Sequence, residues 1–352
     1  MTREVTDDVT GGMTGGMTGG MTGGMTGGMT GMVRTVLGDR DPAGLGILDY
    51  HEHLFHASPL LPGEDLDDAA ASEREFAALL HSGFDGIIDA TPIGLGRRTA
   101  ELAGIAARTG GVVVASTGRH RDAHYAEPLP IADDDLAEVL ARELVVGVPA
   151  DDAAYRRTAT PEPATRSGAP IRAGQIKVGI DYWRISGAER QALLAAAEAH
   201  RRTGAPVMVH TERMSAVLEV LALLGDHGVP AASVAIAHAD RNPDPGLHAE
   251  VAETGAYLGY DGAARLRDWP ESVLLDCLAA VVERGHGDRV LIGGDVARRS
   301  GYVSHGGLPG LSYLGDRYLP RLRRRVGERI LDQILRVNPA RYLTWRRPAA
   351  GG

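Results

Sequence analysis

The sequence predicts a (β/α)8 barrel, the TIM-barrel fold. From Leu45 onward eight short apolar segments alternate with amphipathic stretches, as expected for strands that are each followed by a helix. The roughly 310 residues from this point to the end of the 352-residue chain suit such a barrel with modest insertions. A doubly wound sheet is the alternative, but it requires a Gly-rich phosphate-binding turn after its first strand, and this chain has His51-Glu52-His53 there. The eight predicted strands cover residues 46–51, 86–90, 112–117, 175–179, 206–210, 234–238, 256–260 and 290–295.

Helical patterns occupy the intervals between the predicted strands. Several of the predicted helices end at a glycine, as at Gly110, Gly204 and Gly228, and glycine is the residue that helix C-termini favour. Residues 147–172 lack a periodic pattern, so we predict one long excursion before the fourth strand and no domain boundary. The predicted helices cover residues 73–81, 97–108, 134–145, 188–202, 215–226 and 272–284.

The start of the chain lies outside the predicted fold. Residues 10–31 repeat Met, Thr and two Gly without any apolar periodicity. Such a segment cannot bury enough apolar surface to offset the backbone entropy that ordering would cost. We therefore predict a disordered tail over residues 1–31, a single barrel domain over 32–345 and a flexible C-terminal tail over 346–352.

The composition excludes several classes of protein. The chain has 37 Lys and Arg against 46 Asp and Glu, a net charge of -9, so it lacks the basic surface that binds nucleic-acid backbones. The single cysteine, Cys277, excludes an intramolecular disulfide framework and a Cys-based zinc motif. No apolar run approaches the roughly 18 residues that cross a bilayer, and no secretory signal is visible. We expect a cytoplasmic enzyme for a small-molecule substrate, with no nucleic-acid or membrane partner and with a homodimer as its candidate assembly.

Metal-ligating residues stand where several of the predicted strands end. In a (β/α)8 barrel the catalytic groups lie at the carboxyl ends of the strands. His51 and His53 project to one face of the first strand, because side chains alternate along a strand. The fifth, sixth and eighth strands end in His210, His238 and Asp295. Imidazole nitrogens and carboxylate oxygens suit zinc and its first-row neighbours, so this set predicts a metal site.

Lys177 lies in the predicted fourth strand and is the only lysine in the chain. A buried amine can be deprotonated and react, whereas the guanidinium of arginine stays charged. An ammonium group would be repelled by metal cations, but a lysine carboxylated by CO2 becomes an anionic group whose two oxygens can bridge two metals. A buried lysine paired with Asp181 or Glu212 is the alternative interpretation.

The segments that contain these residues resemble the phosphotriesterase family of the amidohydrolase superfamily. The resemblance extends from Val33 to Leu343 and is carried by DYHEHLF, AGQIKVGID, APVMVHTE, AIAHADRNPD, LIGGDVARRS and a later GGLPGLSYL segment. It implies a (β/α)8 barrel with two divalent metal ions, most often zinc, and a hydroxide between them. The ligands that the resemblance implies are His51, His53 and Asp295 for one ion, His210 and His238 for the other, and carboxylated Lys177 as the bridge.

The resemblance also implies a reaction. Two metal ions about 3.5–4 Å apart lower the pKa of a bridging water and polarise the oxygen of the scissile bond. The hydroxide attacks a carbonyl carbon or a phosphorus atom, and the developing oxyanion is stabilised by the second ion. Asp295 is the expected catalytic residue, because it can accept the proton of the attacking water and pass it to the leaving group. The expected activity is hydrolysis of an ester, lactone, amide or phosphoester bond.

The chain departs from the family pattern around the predicted substrate pocket. Family lactonases typically place a tyrosine just after the third strand, where this chain reads STGRHRDAHY and has Arg119 or His120. After the seventh strand they carry an Asp-Arg-Tyr type of segment, and this chain has YDGA over residues 260–263. These differences preserve the metal site but alter the pocket. We predict substrate contacts at His120, Asp261 and Arg298.

Other polar residues near the predicted site receive supporting roles. Asp240 and Arg241 follow the sixth strand and are interpreted as groups that orient the metal ligands. His56, His124 and His305 lie in loops and are interpreted as structural or solvent-exposed residues.

Two alternative functions stay open at this point. A mononuclear deaminase-like amidohydrolase would use the same His-x-His pair, two later histidines and an aspartate, but it would not need Lys177. A non-catalytic, ligand-binding member of the family is the second alternative, although binding alone gives no reason to retain six ligand positions. Two, one or no equivalents of metal in the purified protein would separate the three functions.

Overall fold

A computed structural model of the chain describes residues 31–126, 131–158, 160–263 and 269–346. The predicted N-terminal tail lies outside these ranges except for Gly31, and the predicted C-terminal tail lies outside them except for Arg346. Both of these residues join the barrel through their backbone. The N–H of Gly31 donates to the carbonyl of Trp345 at 3.1 Å, and the N–H of Arg346 donates to the carbonyl of Gly204 at 3.2 Å.

Eight parallel strands form the centre of the fold and confirm the predicted (β/α)8 barrel. Each strand pairs with the next one in the chain, so the sheet runs in sequence order. The first and last strands meet where the N–H of Asp295 donates to the carbonyl of His51 at 2.8 Å. The strands are β1 (Leu48–Glu52), β2 (Gly86–Asp89), β3 (Val112–Arg119), β4 (Gln175–Gly179), β5 (Val207–His210), β6 (Val234–Ala237), β7 (Tyr257–Tyr260) and β8 (Val290–Ile292).

Helices surround the strands, and their ends follow from local sequence. Ser186 caps the fourth helix in a capping box with Glu189, and Gly204 ends that helix in the left-handed conformation, with φ at 81°. None of the helices in the described ranges has the length and apolar character that a membrane span requires. The helices are α1 (Ala69–His81), α2 (Thr99–Thr109), α3 (Leu136–Val145), α4 (Gly187–Thr203), α5 (Val217–Asp226), α6 (Pro245–Glu253), α7 (Glu271–Glu283), α8 (Leu319–Val326), α9 (Glu328–Asp332) and α10 (Asn338–Leu343).

Alternation along the strands divides the core into two layers. In β5, Val207 and Val209 belong to the cluster that packs against the helices, whereas Met208 belongs to the cluster inside the barrel. Tyr50 and Leu291 are also fully buried in the inner cluster. Apolar side chains therefore fill the barrel interior, and the polar residues at the carboxyl ends of the strands lie next to this inner cluster.

The long excursion before β4 is anchored by a buried ion pair. Arg97 donates to both carboxylate oxygens of Glu143, at 2.7 Å each, and Glu143 also accepts a hydrogen bond from Tyr155. Arg97 further contacts Asp152, which lies in the excursion itself. The excursion also contains a short antiparallel pair, Thr165–Arg166 with Ala169–Pro170. These contacts fix a segment that has no periodic sequence pattern.

Candidate metal centre

The polar residues predicted at the strand ends converge at one end of the barrel. His51, His238 and Asp295 each offer a ligand atom, and these atoms lie within 4.8 Å of one another. The six predicted metal ligands line one cavity of about 300 Å³. All six are buried; they are His51, His53, Lys177, His210, His238 and Asp295.

Two of these residues hold strained backbone conformations. His238 follows β6 and Asp295 follows β8, and their φ angles are 64° and 49°. Left-handed backbone is uncommon for residues other than glycine and persists only where surrounding contacts fix it. The N–H of His238 donates to Asp261 at 3.2 Å, and the N–H of Asp295 donates to His51 at 2.8 Å. The strands thus turn sharply at the site and present both side chains to the cavity.

Asp261 holds two of the histidines from behind. Its Oδ2 accepts a hydrogen bond from Nδ1 of His51 at 2.9 Å, and its Oδ1 accepts one from Nδ1 of His238 at 2.7 Å. Tyr50 also donates its hydroxyl to Oδ2. Burial by itself raises the pKa of Asp261, but the hydrogen bonds from His51 and Tyr50 and the charge of Arg241 lower it below its ordinary value. An ionised Asp261 places the ring protons on Nδ1, so the Nε2 lone pairs of both histidines are available.

Thr91 sets the same orientation for His53. The hydroxyl of Thr91 donates to the carbonyl of Phe55 at 2.8 Å, so its oxygen accepts from Nδ1 of His53 at 2.7 Å. This hydrogen bond places the proton of a neutral His53 ring on Nδ1, and Nε2 lies 3.4 Å from Oδ1 of Asp295. Nε2 of His51 lies 3.5 Å from the same oxygen. Lone pairs therefore face the carboxylate, an arrangement that a cation between them satisfies.

Glu212 completes this pattern at His210. Nε2 of His210 lies 3.0 Å from Oε1 of Glu212, and Nδ1 of His210 lies 2.7 Å from Nε2 of His238. Burial raises the pKa of Glu212, but His210, Arg241 and Arg121 together lower it to about 2. Because an ionised Glu212 accepts a hydrogen bond from Nε2–H of the neutral His210 ring, Nδ1 of His210 is unprotonated and faces the unprotonated Nε2 of His238. The donor set fits divalent metal ions, which prefer such unprotonated imidazoles and carboxylates.

Burial favours the neutral form of His51, His210 and His238, which is the form that metal ligation requires. Burial lowers the pKa of His51 to about 4 and that of His210 to about 3. Burial also lowers the pKa of His238 well below its ordinary value. Near neutral pH none of these three rings carries a positive charge that would oppose a bound cation.

Lys177 projects into the barrel beside the inner nitrogen of His51. Its Nζ lies 3.4 Å from Nε2 of His51 and 3.2 Å from Sδ of Met208. The two carboxylates that the alternative interpretation pairs with Lys177 are engaged by arginine: Arg121 contacts Asp181 at 2.9 Å and Glu212 at 3.1 Å.

The three predicted substrate contacts have different environments. His120 and Arg298 line the cavity, His120 as a buried residue and Arg298 as an exposed one. Asp261 is fully buried behind His51 and His238 and does not line the cavity. The expected substrate contact at Asp261 is therefore corrected, because both of its oxygens accept hydrogen bonds from the metal-site histidines.

Several residues line the cavity or orient the metal ligands although the sequence did not predict these roles for them. His56 and His124 line the cavity, although their loop positions suggested structural or exposed residues. Glu212 and Thr91 fix the ring orientations of His210 and His53. The loop histidines follow β1 and β3 at the carboxyl ends of the strands, and that position was the available signal. Arg241 contacts Oδ2 of Asp295 at 3.3 Å, in agreement with the orienting role predicted for it.

Comparisons with known proteins identify the family to which this chain is similar. The model of the phosphotriesterase family matches residues 31–343. The chain is 31% identical over 331 residues to a phospho-furanose lactonase of Mycoplasmopsis synoviae, with 89% of this chain and 91% of that protein covered. It is 29% identical over 308 residues to the phosphotriesterase homology protein of Escherichia coli, with 86% and 98% covered. A solved lactonase from Listeria monocytogenes superposes with a TM-score of 0.79 at 29% identity, with 90% of this chain and 100% of that chain covered.

The match extends over nearly all of the described barrel, from Gly31, before β1, to Leu343, the last residue of α10. It includes every strand end that carries a candidate metal ligand. The chain therefore belongs to the phosphotriesterase family of metal-dependent hydrolases, within the amidohydrolase superfamily.

Proposed function

We propose that this protein hydrolyses carboxylic esters or lactones with two divalent metal ions, most often zinc, at the candidate metal centre. One observation carries the proposal. One ring nitrogen of each of the four histidines is hydrogen-bonded to Asp261, Thr91 or Glu212. The other ring nitrogen of each histidine faces the cavity and lies near Asp295 or near a neighbouring histidine. A set of unprotonated donors that all face one cavity suits metal ions better than any neutral ligand.

The chain's own residues divide into two ligand groups in this proposal. His51, His53 and Asp295 would hold one ion, His210 and His238 would hold the other, and a carboxylated Lys177 would serve as a ligand shared by both. When bound, the ions acidify a water molecule and polarise the substrate. Arg241 donates to Oδ2 of Asp295 at 3.3 Å and orients the carboxylate, while Oδ1 faces the histidines. Asp295 is then positioned to accept the proton of the attacking water.

The size of the cavity and the similar proteins favour a carbonyl substrate. A volume of about 300 Å³ lies at the lower end of the range for ligand sites, which disfavours a bulky phosphotriester. Two of the similar proteins are named as lactonases. Because a metal-activated nucleophile is general, the cavity walls decide which substrate reaches it within about 3–3.5 Å.

A substrate panel on protein with a measured metal content tests the proposal. We expect two equivalents of metal and turnover of lactones or activated esters, with weak or no turnover of bulky phosphotriesters. Asp295→Asn removes a metal ligand and the proton acceptor together, so we expect it to abolish activity. A two-metal protein that hydrolysed a phosphotriester hundreds of times faster than every ester, lactone and amide in the panel would contradict the proposal.

A further inference from the structure

His120 is a histidine of the cavity wall that the metal centre does not use. It follows β3, is 8% exposed and lines the cavity. Its ring centroid lies 4.5 Å from that of His210 and 4.2 Å from that of His124. The ring therefore stands between a candidate metal ligand and the loop after β3.

The backbone fixes the protonation of this ring. The N–H of Arg121 donates to Nδ1 of His120 at 2.8 Å. A backbone N–H can only donate, so Nδ1 carries no proton and the proton of the neutral ring is on Nε2. The four ligand histidines have the opposite arrangement, in which the cavity-facing nitrogen is unprotonated. His120 consequently has an N–H group that can donate a hydrogen bond, whereas the ligand histidines have lone pairs that can bind a metal ion.

A backbone hydrogen bond and an adjacent glycine fix the position of His120. The backbone N–H of His120 donates to the hydroxyl of Tyr125 at 2.8 Å, and this hydroxyl donates to the carbonyl of Ile93 at 3.0 Å. Gly179, at the end of β4, leaves room for the ring, because a Cβ there would lie 3.1 Å from Nδ1 of His120. The ring is thus pre-positioned, and no residue within the described ranges accepts a hydrogen bond from its Nε2.

We propose that His120 is a catalytic residue of the hydrolysis proposed above, on which this inference rests. The neutral ring donates its Nε2–H to the substrate oxygen that becomes negative when the nucleophile adds to the carbonyl carbon. The C=O π bond becomes a lone pair on that oxygen, the hydrogen bond strengthens as the charge develops, and the proton stays on His120. A pre-positioned neutral donor stabilises such a charge without reorganisation at the moment of reaction.

Three variants, all assayed with measured metal content, separate a donor from a packing residue. His120→Phe keeps a planar ring but has no donor, so we expect kcat to fall about 100- to 1000-fold with two metal equivalents retained. His120→Gln carries an amide N–H near the position of Nε2, and we expect it to stay within about tenfold of the wild type. His81→Phe, on the exposed last turn of α1, is the matched control and should leave kcat unchanged.

Nitrogen chemical shifts of the imidazole provide a second readout that needs no substrate. Protein labelled with ¹⁵N-histidine should show His120 protonated on Nε2 alone, and the signal is assigned by its loss in His120→Gln. A proton on Nδ1, or full activity of His120→Phe in an active wild-type background, would overturn the role of His120 and leave the proposed function intact. A two-metal wild type inactive on the whole panel would overturn the proposed function and this inference together.

Discussion

Nδ1 of His210 and Nε2 of His238 lie 2.7 Å apart, and neither nitrogen carries a proton when the outer nitrogens donate to Glu212 and Asp261. Two lone pairs at this distance repel each other unless a cation binds both nitrogens. The hydrogen bonds to Glu212 and Asp261 therefore prepare a site that is more stable with a bound metal ion than without one. This arrangement couples metal binding to the stability of the barrel.

Metal removal should lower the melting temperature. A ligand that binds only the folded state adds stability that grows with its concentration, about 2.7 kcal/mol at 100 times its Kd. We expect chelator-treated protein to melt at a lower temperature than protein with zinc, and zinc addition to restore the difference. Thermal melts followed by circular dichroism measure this effect. Identical melts with and without metal, after loss of metal is verified, would contradict it.

Asp261→Asn should weaken metal binding although Asp261 does not line the cavity of the candidate metal centre. The amide cannot accept hydrogen bonds from both rings as the carboxylate does, so His51 or His238 loses its fixed tautomer. Loss of such an orienting partner typically costs 10- to 100-fold in metal affinity. Competition with a chromogenic chelator gives the affinity, and Asp134→Asn, at an exposed position, is the control. An unchanged affinity in Asp261→Asn would refute the orienting role.

Lys177 should be replaceable only by an anionic side chain. Lys177→Arg keeps a cation that cannot be carboxylated, so we expect loss of the second metal equivalent and of activity. Lys177→Glu supplies a shorter carboxylate and should retain more metal than the arginine variant, with reduced turnover. Native mass spectrometry of the wild type should show a mass increase of about one CO2. A fully active arginine variant with two metals would rule out a bridging role for Lys177.

Breaking the buried Arg97–Glu143 pair should destabilise the fold and leave the metal site intact. Both side chains are about 1% exposed, so Glu143→Gln removes the carboxylate that binds both guanidinium nitrogens and leaves Arg97 with Asp152 as its remaining charged contact. Removing one partner of a buried pair costs about 3–5 kcal/mol. Urea unfolding gives this free energy, and Arg108→Gln, in an exposed pair with Glu73, should cost less than about 1 kcal/mol. Equal losses in both variants would contradict the difference in burial.

His248 should make the protein sensitive to acid. Burial lowers its pKa to about 4, below the ordinary 6.5, and its ring bonds the carbonyls of Ala239 and Asn242. Between about pH 6.5 and pH 4 this histidine binds a proton in the unfolded chain but not in the folded chain. Its contribution to the free energy of unfolding is therefore complete above pH 6.5 and is lost as the pH falls toward 4. The slope is up to about 1.4 kcal/mol per pH unit.

His248→Gln should remove that share of the acid sensitivity. The free energy of unfolding of the wild type, minus that of the variant, should stay constant above about pH 6.5 and decrease below it. Urea titrations from pH 8 to pH 5 measure the difference, and His227→Gln, at the exposed end of α5, should show no such change. A difference that is constant over the whole range would show that His248 does not couple folding to protonation.

Local patterns in the sequence determined the fold class and the strand ends. Eight apolar segments with helical intervals predicted the barrel, and the strand boundaries differ by only a few residues. The predicted strand over 112–117 extends to Arg119, for example, and the one over 290–295 ends at Ile292. Alternation along a strand and the position of a side chain at the strand end are local properties. His51, Lys177 and His210 could therefore be placed at the site from sequence, where their metal roles stay predictions.

Tertiary structure alone decided which groups orient these ligands and which of the cavity residues are donors. Asp261 lies 210 positions from His51 in the chain, and no local pattern indicates that its oxygens meet that ring rather than a substrate. The tautomer of His120 likewise depends on a 2.8 Å approach of the Arg121 N–H, which only the turn after β3 creates. Residue types and periodicity follow from the sequence, but the direction of each hydrogen bond is set by the partners that barrel closure brings together.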